Sequence, residues 1–210
     1  MCNSELHNVL HALPKCEHHV HIEGTLSPDL LFSLASKNST DLPTEAEDPA
    51  FASPAALLDR YAHFTSLDDF LHYYFLGFSV PQTADDFAAL AYAYLAHAHA
   101  HAQGVRHTEV FFDPQAHTSR GVSYATVVDG LEAARSRARS DLPELSVLFI
   151  PCLLRHFGIT SAREMLDLSL RAGHFTDGTL AGLGMAGTEK GMPPGLYREV
   201  YVDLGLFFIL

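Results

Sequence analysis

"LPKCEHHVHIEGTL", residues 13–26, holds three histidines within four positions and ends on Gly-Thr-Leu. From Cys16 to Ile22 the stretch is short and alternating, as a strand is, and Gly24 closes it. The segment that follows, "SPDLLFSLASKN" (27–38), reads as a helix. Ser27 is a suitable N-cap, Pro28 fits the first helical position, and Leu30, Leu31 and Leu34 form one apolar face. Strand, short loop and helix in that order are the unit of a parallel α/β fold.

The unit recurs along the chain. "VRHTEVFFDP" (105–114) predicts a second strand, and "YATVVDGLEAARSRARS" (124–140) a helix with Tyr124, Val127, Val128 and Leu131 on one face. "LSVLFIPCLL" (145–154) is a nearly unbroken apolar run, expected of a strand buried on both faces. "SAREMLDLSLRAG" (161–173) predicts a helix with Met165, Leu166 and Leu170 inward, stopped by Gly173. "GTLAGLGMAG" (178–187) predicts a fourth strand, "PPGLYREVYVDLG" (193–205) a helix opened by proline, and "LFFIL" an apolar end. Between the first two strands, residues 38–56 read as a surface excursion, rich in Pro, Ser, Asp and Glu. "SLDDFLHYYFLGFS" (66–79) and "TADDFAALAYAYLAHAHAHAQG" (83–104) read as helices, the second stopping at Gly104. The result is four βα units with extra helices after the first. An open doubly wound sheet and a (β/α)8 barrel both fit, but the first turn lacks the glycine-rich dinucleotide loop. No linker or internal repeat divides the 210 residues, so a single domain is expected.

Composition narrows the function classes. Hydrophobic residues make up 48% and charged residues 18%, which is globular rather than disordered. A net charge of −12 disfavours nucleic-acid and anionic-membrane partners. Cys2, Cys16 and Cys152 are odd in number and widely spaced, which argues for free thiols in a reducing compartment. No signal peptide or membrane span is read, so a cytoplasmic or nuclear location is expected.

On a strand, His19 and His21 point the same way and can reach one metal ion, while His18 is expected to face the other side. The pair lies at the C-terminal end of its strand, where parallel α/β folds place their sites. Competing features are weaker. His97, His99 and His101 read as the solvated face of an alanine-rich helix. His21-Ile22-Glu23 with Pro151-Cys152 falls short of a cytidine-deaminase signature, because position 155 is Arg. Cys152 is expected to pack as a buried apolar group. His107, Glu109, Asp113, His117 and His156 lie near strand ends and are given no catalytic role.

The opening stretch resembles that of the adenosine and adenine deaminases, which runs Pro-Lys-x-Glu-Leu-His-x-His, an apolar residue, an acidic residue, Gly. His18 stands where that pattern has Leu. "GVRHTEVFFDPQAHTSRGVSYATVVDGL", "IPCLLRHF" and "GLGMAGTEKGMPPGLYREVY" resemble the family's second, third and fourth strand regions, so the likeness runs over about residues 13–201. It implies a (β/α)8 barrel with one Zn2+ at its C-terminal mouth. By position, His19 and His21 match metal ligands. His21, Glu23 and Gly187 match substrate contacts, and a glutamate at 23 is similar to the fungal adenine deaminases. Ala186 and Gly187 depart from the Asp-Ser those proteins carry.

The family chemistry is conversion of adenine to hypoxanthine and ammonia, as in purine salvage. Zinc lowers the pKa of its bound water from ~15.7 toward ~7 to make the attacking hydroxide. The resemblance also implies a third His ligand and a glutamate in a His-Ala-Gly-Glu motif, a later histidine and two aspartates. None of these has a counterpart here. The expectation is therefore an incomplete barrel of four βα units, the N-terminal portion of a deaminase domain, with no catalytic residue of its own and inactive alone. Its first and fourth strands are expected to present unpaired edges. An adenosine deaminase-like enzyme, and a non-catalytic fragment or partner-binding protein, are the alternatives. Oligomeric state is left open.

Overall fold

The alternating and apolar segments pair into one four-stranded parallel sheet. This computed structural model describes residues 5–99 and 104–203. Helix α1 (Glu5–Ala12) precedes β1 (Lys15–His21), and β2 (Val105–Phe112), β3 (Ser146–Leu154) and β4 (Gly184–Ala186) follow in the spatial order β1-β2-β3-β4. In register, Val20 lies opposite Val110, Phe111 opposite Ile150, and Cys152 opposite Gly184. The sheet curves into a half-barrel with its helices outside, and among the described residues β1 and β4 are its outer strands. This is the four-unit partial barrel that the resemblance implies, where the βα rhythm alone also fits an open sheet. No described helix is long and apolar enough to cross a membrane.

Helices α2 (Pro28–Asn38), α3 (Pro54–Tyr61), α4 (Leu67–Phe78) and α5 (Ala84–His99) fill the long β1–β2 connection. The Ser27 hydroxyl accepts the Leu30 N–H at 3.3 Å, so that cap acts as read, and the Ser66 hydroxyl likewise accepts the Asp69 N–H at 3.1 Å. Leu31 and Leu34 are buried and Leu30 half-buried. The excursion at 38–56 is less peripheral than its composition implies. Phe51 is buried in a 3-10 turn (Pro49–Ala52), and its ring stacks on Tyr73 at 5.9 Å between centroids. Helix α5 is described to His99, so the proposed histidine face is seen only at exposed His97 and half-buried His99, and His101 lies outside the described residues.

Helices α6 (Pro114–Thr118) and α7 (Tyr124–Asp141) join β2 to β3, and α8 (Gly158–Ala172) joins β3 to β4. Tyr124, Val127, Val128 and Leu131 of α7 are all buried, as expected. Gly130 lets α7 close on α5, since a Cβ there would lie 2.5 Å from the Ala84 carbonyl oxygen. In α8 the inward stripe is Ala162, Met165, Leu166 and Ser169. Leu170 is exposed instead, because it falls beside that i, i+3, i+4, i+7 row. Beyond β4, a 3-10 turn (Pro194–Tyr197) leads into α9 (Arg198–Asp203), and "LFFIL" lies outside the described residues.

Three strand readings change. β2 ends at Phe112, because Pro114 already opens α6. β3 is buried on both faces only toward its C-terminal end. Leu148 and Ile150 on its concave face are half-exposed, while Val147, Phe149 and Leu153 pack under the helices. β4 is three residues long. Its lead-in instead runs beside β3, where the Ala181 N–H donates to the Phe149 carbonyl at 2.9 Å.

Candidate active site

The C-terminal ends of the strands, together with α4, enclose a cavity of about 870 Å³. Its wall includes His19 and His21 from β1, Asp113 after β2, His156 after β3, Gly187 after β4, and Tyr74 and Phe75 from α4.

Strand alternation brings His19 and His21 together, with ring centroids 5.3 Å apart, and both rings pack on Phe111. Two imidazoles sharing one tetrahedral ion at ~2.0–2.1 Å have centroids about 5 Å apart, so this pair fits a zinc ion. His18 does not face the opposite side. The β1–β2 register shifts between Glu17 and Val20, and this irregularity turns His18 to the concave face as well. There its Nδ1 lies 3.4 Å from Glu109 Oε1.

His21 Nδ1 lies 3.7 Å from Asp113 Oδ1, and each atom is buried with no hydrogen-bond partner among the described residues. The Asp113 carboxylate beside it raises the His21 pKa above the ordinary value, against the opposing effect of burial. Cys152 Sγ is within 4.8 Å of the ligand atoms of both residues. Cys152 is buried on β3 as expected, and burial pushes its thiol up. These orphaned polar atoms at the mouth of a parallel half-barrel are the kind a bound cation satisfies.

Glu23 sits in the 3-10 turn after β1 (Ile22–Thr25) and is only 6% exposed. Its Oε1 accepts the Asp113 N–H at 2.8 Å and lies 3.2 Å from His117 Nε2. Arg120 can only donate, and it stands 3.1 Å from His117 Nδ1, so Nδ1 accepts and Nε2 carries the proton given to Glu23. Burial pushes the His117 imidazole down to about 3. Burial, with the nearby Asp113 charge, pushes the Glu23 carboxyl up to about 8, so the acid form dominates at neutral pH. Glu23 lies behind the main cavity wall rather than on it. It lines a small void of about 70 Å³ that shares Gly24, Phe70 and Tyr74 with the larger cavity. Its Oε2 is buried without a hydrogen-bond partner among the described residues.

Gly187 is on the cavity wall at φ +90°, a conformation that favours glycine. Its carbonyl accepts Arg155 Nη1 at 3.1 Å, and Arg155 Nη2 is 3.1 Å from Glu189, which fixes the β4 loop. The sequence reading gave no role to Asp113, His117 or Tyr74. Asp113 carried a usable signal, being the first residue after a parallel strand. Tyr74 carried none, since its place depends on how α4 folds over the strand ends.

The chain matches the adenosine deaminase family over residues 14–204. It is 53% identical to the adenine deaminase of Gibberella zeae over 96% of this chain and 55% of that protein. It is 50% identical to the adenine deaminase of Schizosaccharomyces pombe over 96% of this chain and 53% of that one. The chain thus spans about half the length of the curated relatives it matches. Among solved structures, the adenine deaminase from Arthrobacter aurescens superposes with a TM-score of 0.80 at 39% identity, covering 93% of this chain and 56% of that one. An amidohydrolase from Burkholderia ambifaria with bound Zn superposes with a TM-score of 0.78 at 26% identity, covering 97% and 52%. With the half-barrel fold and the paired histidines in place, the chain belongs to the adenosine deaminase family.

Proposed function

We propose that these residues form the first half of a zinc-dependent purine aminohydrolase site that acts on adenine in purine salvage. The observation that carries this is the pairing of His19 and His21 beside the orphaned His21 and Asp113 atoms, in a chain about half identical to fungal proteins named adenine deaminase. His19 and His21 would hold the ion, which when bound supplies an activated water. Phe111 packs on both imidazoles, and the Asp113 carboxylate stands beside His21. Glu23 stands behind Gly24 and Tyr74 with its Oε2 unpartnered among the described residues, on the side from which it would meet the purine. Gly187 shapes the wall on the opposite side. Adenine is favoured over adenosine by the glutamate at 23, which the resemblance associates with the free base.

The single sheet and one continuous core support treating residues 1–210 as one portion of a (β/α)8 domain. The strong negative charge supports a small-molecule partner rather than a nucleic acid or membrane surface, and the free Cys16 and Cys152 fit a cytoplasmic or nuclear setting.

Ligand binding by the 210-residue chain tests this. One Zn2+ equivalent is expected to be lost in His19→Ala and His21→Ala, and the zinc-loaded parent chain is expected to bind adenine above adenosine. No turnover is expected from these 210 residues alone, since no His-Ala-Gly-Glu occurs in the sequence. A zinc-loaded chain that ignores adenine would sink the reading. Turnover lost with His21→Ala would overturn the expected inactivity.

A further inference from the structure

The concave face carries a second convergence of ligand groups below the cavity. Along β2, Thr108, Val110 and Phe112 are buried under the helices, so His107, Glu109 and Phe111 face the other way. Phe111 packs on the His19 and His21 rings of the cavity wall. Glu109 lies two residues earlier, about 6.6 Å along the strand at ~3.3 Å per residue. The register shift in β1 brings His18 onto this same layer.

We propose that His18, His107 and Glu109 form a separate site for a divalent first-row cation of the Zn2+ type, which clasps β1 to β2. One carboxylate oxygen is the common vertex. Glu109 Oε1 lies 3.4 Å from His18 Nδ1 and 3.7 Å from His107 Nε2. Two donors on one tetrahedral zinc lie about 3.3–3.4 Å apart, given bonds of ~2.0–2.1 Å. The two edges therefore approach what an ion needs. The three donor atoms all lie within 4.8 Å of one another, and the His18–His107 ring centroids are 5.8 Å apart. The His18 side chain is 67% exposed, so its ring is free to close the last edge and an ion can enter from solvent.

The surroundings fit as well. His107 Nδ1 lies 3.1 Å from Ser146 Oγ on β3. With Nδ1–H donated to that hydroxyl, the Nε2 lone pair is aimed at the cluster, which is how ligating histidines are oriented. Two imidazoles and a carboxylate suit zinc and its neighbours rather than calcium or magnesium. Three protein ligands leave a fourth position for water. The site also bridges the point where the β1–β2 ladder is irregular, so an ion there would replace cross-strand bonding that the backbone lacks. His18 is the residue that departs from the deaminase pattern, so the cluster is a property of this chain. It is separate from the His19–His21 pair, and its binding is read with that pair removed.

The test is a titration of Co2+ and Zn2+ into the full 210-residue chain carrying His19→Ala and His21→Ala. One equivalent is expected still to bind, with visible Co2+ bands of low coordination number and a higher melting temperature in Zn2+. Adding His18→Leu or Glu109→Gln is expected to weaken that binding by about tenfold or more and to remove the thermal shift. Because His18 is exposed, its replacement keeps the fold, and equal melting of the metal-free proteins checks this. Absence of a residual equivalent in the double variant would overturn the proposal, as would residual binding indifferent to His18→Leu. Failure of the zinc-loaded parent chain to bind adenine, with this equivalent retained in the double variant, would count against the aminohydrolase reading alone.

Discussion

The Oε1 of Glu23 accepts the backbone N–H of Asp113 at 2.8 Å, tying the turn after the first strand to the turn after the second. Both groups are buried. Glu23→Ala leaves that N–H without a partner and should destabilise the chain by about 1–3 kcal/mol, whereas Glu23→Gln keeps an acceptor and should cost less. Urea unfolding of the two variants decides it, and equal losses would show that the bond contributes little.

The same cluster sets a pH dependence with two arms. His117 has its folded pKa pushed down to about 3 by burial, from an ordinary value of 6.5. The unfolded chain therefore takes up the extra proton, so this contribution is complete above 6.5 and lost as pH falls toward about 3. Glu23 is pushed up to about 8 from 4.5, so its contribution is complete below 4.5 and lost as pH rises through about 8. In the variant-minus-parent difference, His117→Gln should remove the acid-side decline and Glu23→Gln the alkaline one. Urea midpoints from pH 4 to 8.5 read both, and parallel profiles for all three proteins would refute the assignment.

Asp86 is fully buried at the start of α5 and serves four partners. Its carboxylate accepts Lys37 Nζ at 2.6 Å, Asn38 Nδ2 at 2.8 Å, and the N–H groups of Gln82 and Thr83 at 2.9 Å each. Burial pushes its carboxyl up, but Lys37 and the N–H donors outweigh this and hold it well below the ordinary carboxylate range. That contribution is present above the ordinary carboxylate pKa and lost as pH falls through the lowered one. Asp86→Ala should cost roughly 2–4 kcal/mol, because two backbone donors lose their acceptor at once. Thermal melting near neutral pH measures it, and a loss below about 0.5 kcal/mol, the scale of an ordinary surface substitution, would contradict the hub.

Gly187 at φ +90° borders the cavity, and a Cβ there would stand 3.4 Å from His156 Nδ1. Gly187→Ala should cost about 1–3 kcal/mol of backbone strain and weaken adenine binding, leaving Zn2+ affinity unchanged. Gly182→Ala is the control, since a Cβ there meets nothing within 4 Å. Matched melting of the two variants would show that the loop tolerates a side chain.

Local pattern alone determined the elements that position the site. The strand before Gly24, the Ser27-Pro28 helix start and the Val127–Leu131 face depend on neighbours in sequence, and each forms within a residue of where it is read, although the strand's alternation breaks at His18. The same locality placed His19 and His21 on one face and buried Cys152. Tertiary structure decided the rest. Phe51 is buried because Tyr73 offers it a ring, which no feature of an acidic, proline-rich segment foretells. β4 is short because its lead-in runs beside β3 instead of pairing as a longer strand. His18 changes face because the β1–β2 register slips between Glu17 and Val20, and a slip is a property of two strands together. Glu23, Asp113 and His117 meet although about 90 residues separate the first from the other two, as their hydrogen bonds show. Local sequence sets which residues share a side only where the strand or helix stays regular. Only packing of one element on another sets which distant carboxylate, imidazole or N–H stands opposite it, and hence which groups are buried, neutral or left for a ligand.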